Sequence, residues 1–190
     1  FSTLADSRTL KKIASRYGMR PHGFARRFVA GETVDEAIEC AARIERNGMT
    51  VTLDHLGERV TTREEATRST REYMAMVESV AKAGISRNIS VKLTQLGLDI
   101  DRATSVDNIR RVLDVASKAD FFVRIDMEGS AYTDQTLEAV DSLWGIGSHN
   151  IGVVIQSYLK RSPADLKRVL ALGMRVRLVE GAYREAKDLA

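Results

Sequence analysis

The sequence predicts an α/β fold of parallel βαβ units, and three observations predict it. Short apolar runs rich in β-branched residues alternate with segments of helical period along most of the chain. The runs are almost continuously apolar, as strands covered on both faces require. Lys92, Asp126 and Arg177 each stand near the downstream end of a different run: 89–93 (ISVKL), 121–127 (FFVRIDM) and 174–179 (MRVRLV). In a closed parallel barrel such ends meet at one mouth, where catalytic groups gather. A doubly wound nucleotide-binding sheet would instead carry glycine punctuation after its first strand, and Ala30, Gly31 and Glu32 do not make G-x-G-x-x-G. The expected architecture is a TIM-type (βα)8 barrel.

Each element has its own signal. After a helical pattern around Leu10, Ile13, Ala14 and Tyr17, the turn-like Pro21, His22 and Gly23 lead to the first strand candidate, 28–30. Thr33 and Glu36 form a capping box, and Val34, Ala37, Ile38, Ala41 and Ile44 make an apolar stripe that Gly48 ends. The second strand is 49–53. Thr62 and Glu65 form another capping box, opening a helix with Ala66, Tyr73, Val77, Val80 and Ala81 inward and Gly84 at its end. Strand three is 89–93, and Ser105 is expected to cap the helix of Ile109, Val112, Leu113 and Ala116.

Strand four is 121–127, and Thr133 starts the helix of Leu137, Val140 and Trp144. Strand five is 151–155. Ser162, with Pro163 at the first helical position, opens a helix that closes near Gly173. Strand six is 174–179, and the residues after it read as the start of another helix. A closed barrel has eight strands. The expectation is therefore an N-terminal helical segment, 1–27, and a partial barrel over 28–190 that is truncated after its sixth strand.

With 190 residues, 44% hydrophobic and 29% charged, the chain suits one sizeable core. Its 29 basic and 26 acidic residues are interspersed, without the basic stripe that binds nucleic acid. Cys40, the single cysteine, lies among Ala37, Ile38, Ala41 and Ala42, which reads as a small buried thiol in a reducing compartment. No stretch approaches the length of a membrane span, and 1–10 lacks the basic head and apolar core of a secretion signal. A cytoplasmic location is expected.

Among the candidate site residues, Lys92 follows the apolar Val91, so its ammonium reaches the barrel mouth, snorkels to solvent, or is buried at high cost. At the mouth it could anchor an anion or serve as a Schiff-base amine, as in an aldolase-like barrel. Asp126 could orient a cationic substrate or pair with Lys92. Arg175 and Arg177, two apart on a strand, share a face. Glu180, Gly181 and Ala182 then offer small residues and free amides to a large planar or phosphorylated cofactor. Gln156 ends strand five with an amide suited to a heterocycle edge. Asp54 and His55 end strand two; His55 reads as a structural hydrogen-bonder, and no metal site is expected.

The ordered motifs FVAGET (28–33), LDHLGE (53–58), SVKLTQLG (90–97), RIDMEGSAYTDQTL (124–137), VVIQSYL (153–159) and VRLVEGAY (176–183) closely resemble proline dehydrogenase of the monofunctional bacterial type. The resemblance covers the chain from about residue 25 onward. It implies an FAD-dependent barrel that oxidises L-proline to Δ1-pyrroline-5-carboxylate and passes electrons to a quinone, with peripheral contact to the inner face of the membrane. By resemblance, Lys92 holds the substrate carboxylate, and Asp126 and Arg177 act at the reaction centre, Arg177 beside the flavin's reactive nitrogen. Met127, Gln156, Arg177, Val179, Glu180, Gly181 and Ala182 face the cofactor. Glu58 corresponds to a glutamate that pairs with a late arginine to close the site. Two departures stand out: Glu180 replaces a lysine common in the family, and the family's last helix, with its tyrosine and arginine pair, has no counterpart in this sequence. An inactive partial barrel is the non-enzymatic alternative.

Overall fold

Helix α1, Val34–Glu45, begins where the Thr33 side chain accepts a hydrogen bond from the Glu36 amide. Only half of the expected capping box forms there, because the Glu36 carboxylate accepts from the Glu32 amide at 2.8 Å. The computed structural model describes residues 29–57 and 60–190. The expected N-terminal helical segment (1–27), Phe28 and Glu58 lie outside the described residues. Val29 and Ala30, the rest of the expected first strand, are irregular. The chain divides into two compact units, Phe1–Val51 and Thr52–Ala190. Cys40, in the first, is partly exposed rather than buried, since the buried residue of α1 is Ala41.

The second unit alternates strands and helices in the order β1 (Leu53–Asp54), α2 (Arg63–Ala83), β2 (Asn88–Val91), α3 (Arg102–Lys118), β3 (Phe122–Ile125), α4 (Thr133–Gly145), β4 (Ile151–Gln156), α5 (Ser162–Ala171) and β5 (Arg175–Val179). The five strands form one parallel sheet in the order β1-β2-β3-β4-β5. Right-handed crossovers in an order that never reverses put every helix on the same face, which is how a barrel wall is built; a doubly wound sheet reverses at a switch point. Helix α2 packs on α3, and α3 on α4, as that outer layer requires. The chain is thus α/β with the wall of a TIM-type barrel, five described strands rather than the six expected.

Register divides each strand into two kinds of residue. The row Leu53, Ile89, Val123 and Ile151 pairs across β1 to β4 and is almost wholly buried. It meets a helical layer whose inward residues Tyr73, Val77, Ile109, Val112, Leu137 and Val140 are also fully buried. Each such aliphatic side chain contributes on the order of 2 kcal/mol of transfer free energy. One step along, the row Asp54, Ser90, Arg124, Gly152 and Arg175 pairs in the same way. Side chains alternate across a strand, so this polar row faces the opposite side, away from the helices.

Several local expectations need correction. Strand two, expected at 49–53, is the pair Leu53–Asp54, since pairing starts where Ile89 of β2 offers a partner. Helix α3 is capped by Asp101, whose carboxylate accepts from the Thr104 amide at 3.0 Å. Ser105 is buried inside that helix and donates to the Leu93 carbonyl at 3.2 Å. Residues 180–190 form no helix. Glu185 there accepts from the Ser130 amide at 2.8 Å, and the Leu189 carbonyl accepts from the Lys160 amide at 2.9 Å, so the segment runs across the loops after β3 and β4. The capping box of α2 forms in full, with Glu65 accepting from the Thr62 amide at 3.1 Å and Thr62 from the Glu65 amide at 3.2 Å.

Candidate active site

Lys92 lies one residue past the end of β2, and Asp126 one residue past the end of β3. The Asp126 amide donates to the Val91 carbonyl at 2.9 Å, which carries the pairing to the sheet's end and places both side chains at the same level. There the Lys92 Nζ stands 2.7 Å from Asp54 Oδ2 and 3.3 Å from Asp126 Oδ2. Asp126 Oδ1 accepts from Ser90 Oγ at 2.5 Å and lies 3.8 Å from Arg177 Nη1. Arg177 Nη2 in turn donates to Thr52 Oγ1 at 3.1 Å. Residues from four strands and their ends thus form one network of two carboxylates and two cations. Burial by itself would lower the Lys92 pKa, but hydrogen bonding and charge from Asp54, with the charge of Asp126, leave it raised. Lys92 is an ammonium at neutral pH.

Above this network opens a cleft of about 390 Å³ lined by Lys92, Asp126, Met127, Val154, Gln156, Val179, Glu180, Gly181, Ala182 and Tyr183. Of the residues that the resemblance sets at the substrate, the reaction centre or the cofactor, all border it except Arg177, which reaches it through Asp126; Asp54, His55 and Arg175 do not line it, and Glu58 lies outside the described residues. Met127 and Gln156 are almost fully buried. Gln156 Nε2 donates to the Glu128 carbonyl at 3.0 Å, and Gln156 is held from below where Ser162 Oγ donates to its carbonyl. Gly181 and Ala182 form one side of the cleft.

Beneath the cleft, the Phe122 ring is flanked by two guanidiniums, with Arg124 Cζ 4.8 Å and Arg175 Cζ 4.9 Å from its centroid. Gly152 makes this possible. A Cβ there would fall 2.5 Å from the Arg175 carbonyl oxygen and 2.6 Å from Phe122 Cζ. Burial first, and then the charge of Arg177, weaken the hold of Arg124 on its proton. Arg124, Arg175 and Arg177 thus lie close enough to repel one another, with Asp126 the opposing charge on Arg124.

Five residues of this site escaped the sequence reading as participants: Thr52, Ser90, Glu128, Tyr183 and, as the stronger partner of Lys92, Asp54. Ser90 was legible in principle, because it stands two residues before Lys92 and so shares its face. Glu128 is bound to the next loop, its Oε1 accepting from Thr94 Oγ1 at 2.7 Å, and burial raises its pKa. His55 packs its ring edge-on against Tyr73, with the centroids 5.6 Å apart. Its Nδ1 is buried without a partner among the described residues, while its carbonyl accepts from Tyr73 Oη at 3.2 Å and from Gln95 Nε2 at 3.0 Å.

Comparison with known proteins fixes the lineage. Residues 37–188 match the proline dehydrogenase family. The chain is 36% identical over 190 residues to Proline dehydrogenase 1 of Bacillus subtilis subsp. natto, covering all of this chain and 62% of that protein. It is 32% identical over 192 residues to Proline dehydrogenase of Deinococcus radiodurans, covering 99% of this chain and 61% of that one. Among solved structures, proline utilization A from Bdellovibrio bacteriovorus inactivated by N-propargylglycine superposes with a TM-score of 0.73 at 30% identity, over 82% of this chain and 20% of that one. The chain thus spans rather less than two thirds of the monofunctional relatives' length. Such a match, over most of its residues, makes the chain a member of the proline dehydrogenase family.

Proposed function

We propose that this chain carries the substrate- and cofactor-facing wall of an FAD-dependent enzyme. That enzyme oxidises L-proline to Δ1-pyrroline-5-carboxylate, the first step of proline degradation, and delivers the electrons to a quinone. The observation that carries this reading is the convergence of Lys92, Asp126, Met127, Gln156 and the segment 179–182 on one cleft in a chain of this family. A bound flavin would supply a hydride acceptor for the carbon beside the proline nitrogen. The residues around the cleft fit such a group: a buried amide at Gln156 for a ring edge, apolar Met127 and Val179, and the small Gly181 and Ala182 for close approach.

The protein's own share is positioning and charge. Lys92, held as an ammonium, receives the substrate carboxylate. Asp126 balances the charge of Lys92 and is oriented by Ser90. Arg177 supplies positive charge where electron density gathers on reduction. Glu180 contributes its backbone to the cofactor wall, its carboxylate replacing the positive charge of the lysine common in the family. A Schiff-base enzyme would need Lys92 deprotonated, and its two carboxylate partners hold it in the opposite state. Electron transfer to a quinone is consistent with peripheral docking on the inner face of a membrane from the cytoplasm. Among the described residues no helix is long and apolar enough to cross one.

Loading the full-length protein with FAD and adding proline without oxygen tests the proposal. The visible flavin absorption should bleach, and protein that takes up no FAD would refute the reading. Borohydride treatment with a carbonyl substrate should leave Lys92 unmodified.

A further inference from the structure

One wall of the cleft, segment 180–183, lies beyond the end of β5, where sheet pairing no longer holds it. Its grip comes from Tyr158, in the loop between β4 and α5. The Tyr158 amide donates to the Glu180 carbonyl at 3.0 Å, and the Tyr158 hydroxyl donates to the Tyr183 carbonyl at 3.1 Å. Between those two points the Tyr158 ring lies against Gly181. The Gly181 φ is +128°, a conformation that side-chain-bearing residues rarely adopt. A Cβ there would also stand 2.7 Å from Tyr158 Cζ and nearer still to Cδ1 and Cε1. Tyr158 itself does not line the cleft. Three residues of the wall, 180, 181 and 183, are therefore held by the side chain and amide of one residue.

We propose that Tyr158 is a positioning residue that shapes the cofactor-facing wall by holding 180–183, so that the amides of Gly181 and Ala182 stay at the cleft. The cofactor half of this statement rests on the function proposed above. The geometry of the clamp does not. Position 181 must remain glycine because the clamp presses its backbone against a ring, and the Tyr158 hydroxyl closes the far end at residue 183.

Amide hydrogen exchange read by mass spectrometry tests the clamp without any cofactor. Tyr158→Ala should speed exchange at 181–183 by about tenfold, the effect of losing a contact of ordinary strength. Tyr158→Phe, which keeps the ring under Gly181 and loses only the hydroxyl, should give a smaller acceleration concentrated at the Tyr183 end. Exchange in α3 should not change in either. Gly181→Ala should also loosen the segment, and its effect should shrink when Tyr158 is already alanine, because the clash is then gone. Should Tyr158→Ala fail to fold, Tyr158→Phe and Gly181→Ala carry the test. Unchanged exchange in these variants, or additive effects in the pair, overturns the clamp. Fluorescence titration with FAD gives the second arm, with affinity expected to fall about tenfold in Tyr158→Ala. Wild-type protein that binds no FAD would sink the proposed function and leave the exchange result to decide the clamp. Wild-type binding with undiminished affinity in Tyr158→Ala, despite faster exchange, overturns the positioning role.

Discussion

The ammonium of Lys92 lies closer to Asp54 than to Asp126, 2.7 Å against 3.3 Å. The residue that does most to hold Lys92 thus comes from β1, and Asp126 is left partly free to be oriented by Ser90 and approached by Arg177. Asp54→Asn should remove the nearer ion pair while keeping the side chain's shape. Both partners are about a quarter exposed, so the expected loss is about 1 kcal/mol of stability, smaller than for a fully buried pair. If Lys92 receives the substrate carboxylate as proposed, the functional loss should be larger, on the order of tenfold in kcat/KM for proline, because Lys92 would swing toward Asp126 and away from that carboxylate. Urea denaturation and steady-state kinetics check the two parts. A variant that loses stability without losing kcat/KM would show that Asp54 merely supports the fold.

Arg177 borders the network rather than the cleft, 3.8 Å from Asp126 and anchored on Thr52. If its charge stabilises the reduced flavin, Arg177→Met should make the flavin midpoint potential more negative and lower kcat by about a hundredfold, the usual effect of deleting one preorganised charge. Arg177→Lys should recover part of the potential but little of the geometry. Spectroelectrochemistry of the FAD-loaded protein separates these outcomes, and an unchanged potential in Arg177→Met would remove Arg177 from this role.

Much of the wall was legible in the sequence because its signals are local. The Thr62 and Glu65 box, the stripe of Tyr73, Val77 and Val80, and the five runs that became β1 to β5 need only near neighbours to be read. Lys92, Asp126 and Gln156 were legible for the same reason, as polar residues interrupting apolar strand ends. The misses at the site are mostly long-range. Asp54 becomes the main partner of Lys92 only through the register that sets Leu53 beside Ile89, and Thr52 meets Arg177 from a distant part of the chain. Ser105 looked like a cap because the competing Asp101 signal lay outside the apolar stripe. The absence of helix after β5 follows from side-chain and backbone bonds to residues 130 and 160, which no periodicity encodes.

Gly152 has no room for a side chain. Its register partners are Arg124 and Arg175, and Phe122 fills the space that a side chain would occupy. Gly152→Ala should cost about 1–3 kcal/mol, the usual range for overpacking a well-filled interior. The clash on the backbone oxygen of Arg175 cannot be relieved by a rotamer change, whereas the clash on Phe122 can. Adding Phe122→Leu to Gly152→Ala should therefore recover only part of the loss, which urea denaturation of the single and double variants would show. Full recovery would mean that the β4 and β5 backbones can move apart.

Glu128 gives a pH dependence whose sign follows from its burial. Burial raises its pKa above the ordinary 4.5, while hydrogen bonds from Thr94 and the charge of Lys92 pull it down without cancelling the effect. A carboxyl that titrates higher in the folded state than in the unfolded chain favours folding fully below the unfolded pKa, and that contribution is lost as pH rises through the folded value. Glu128→Gln cannot ionise and keeps an oxygen able to accept from Thr94 Oγ1. It loses the second acceptor for the Thr94 amide, at 3.3 Å, but that cost does not vary with pH. The stability of Glu128→Gln relative to wild type should therefore improve steadily as pH rises from about 4 toward neutrality. Urea midpoints collected across that range for both proteins measure the slope. A difference that stays flat, or that shrinks with rising pH, would mean that the Thr94 hydrogen bonds outweigh burial and that Glu128 is an ordinary ionised partner of that loop.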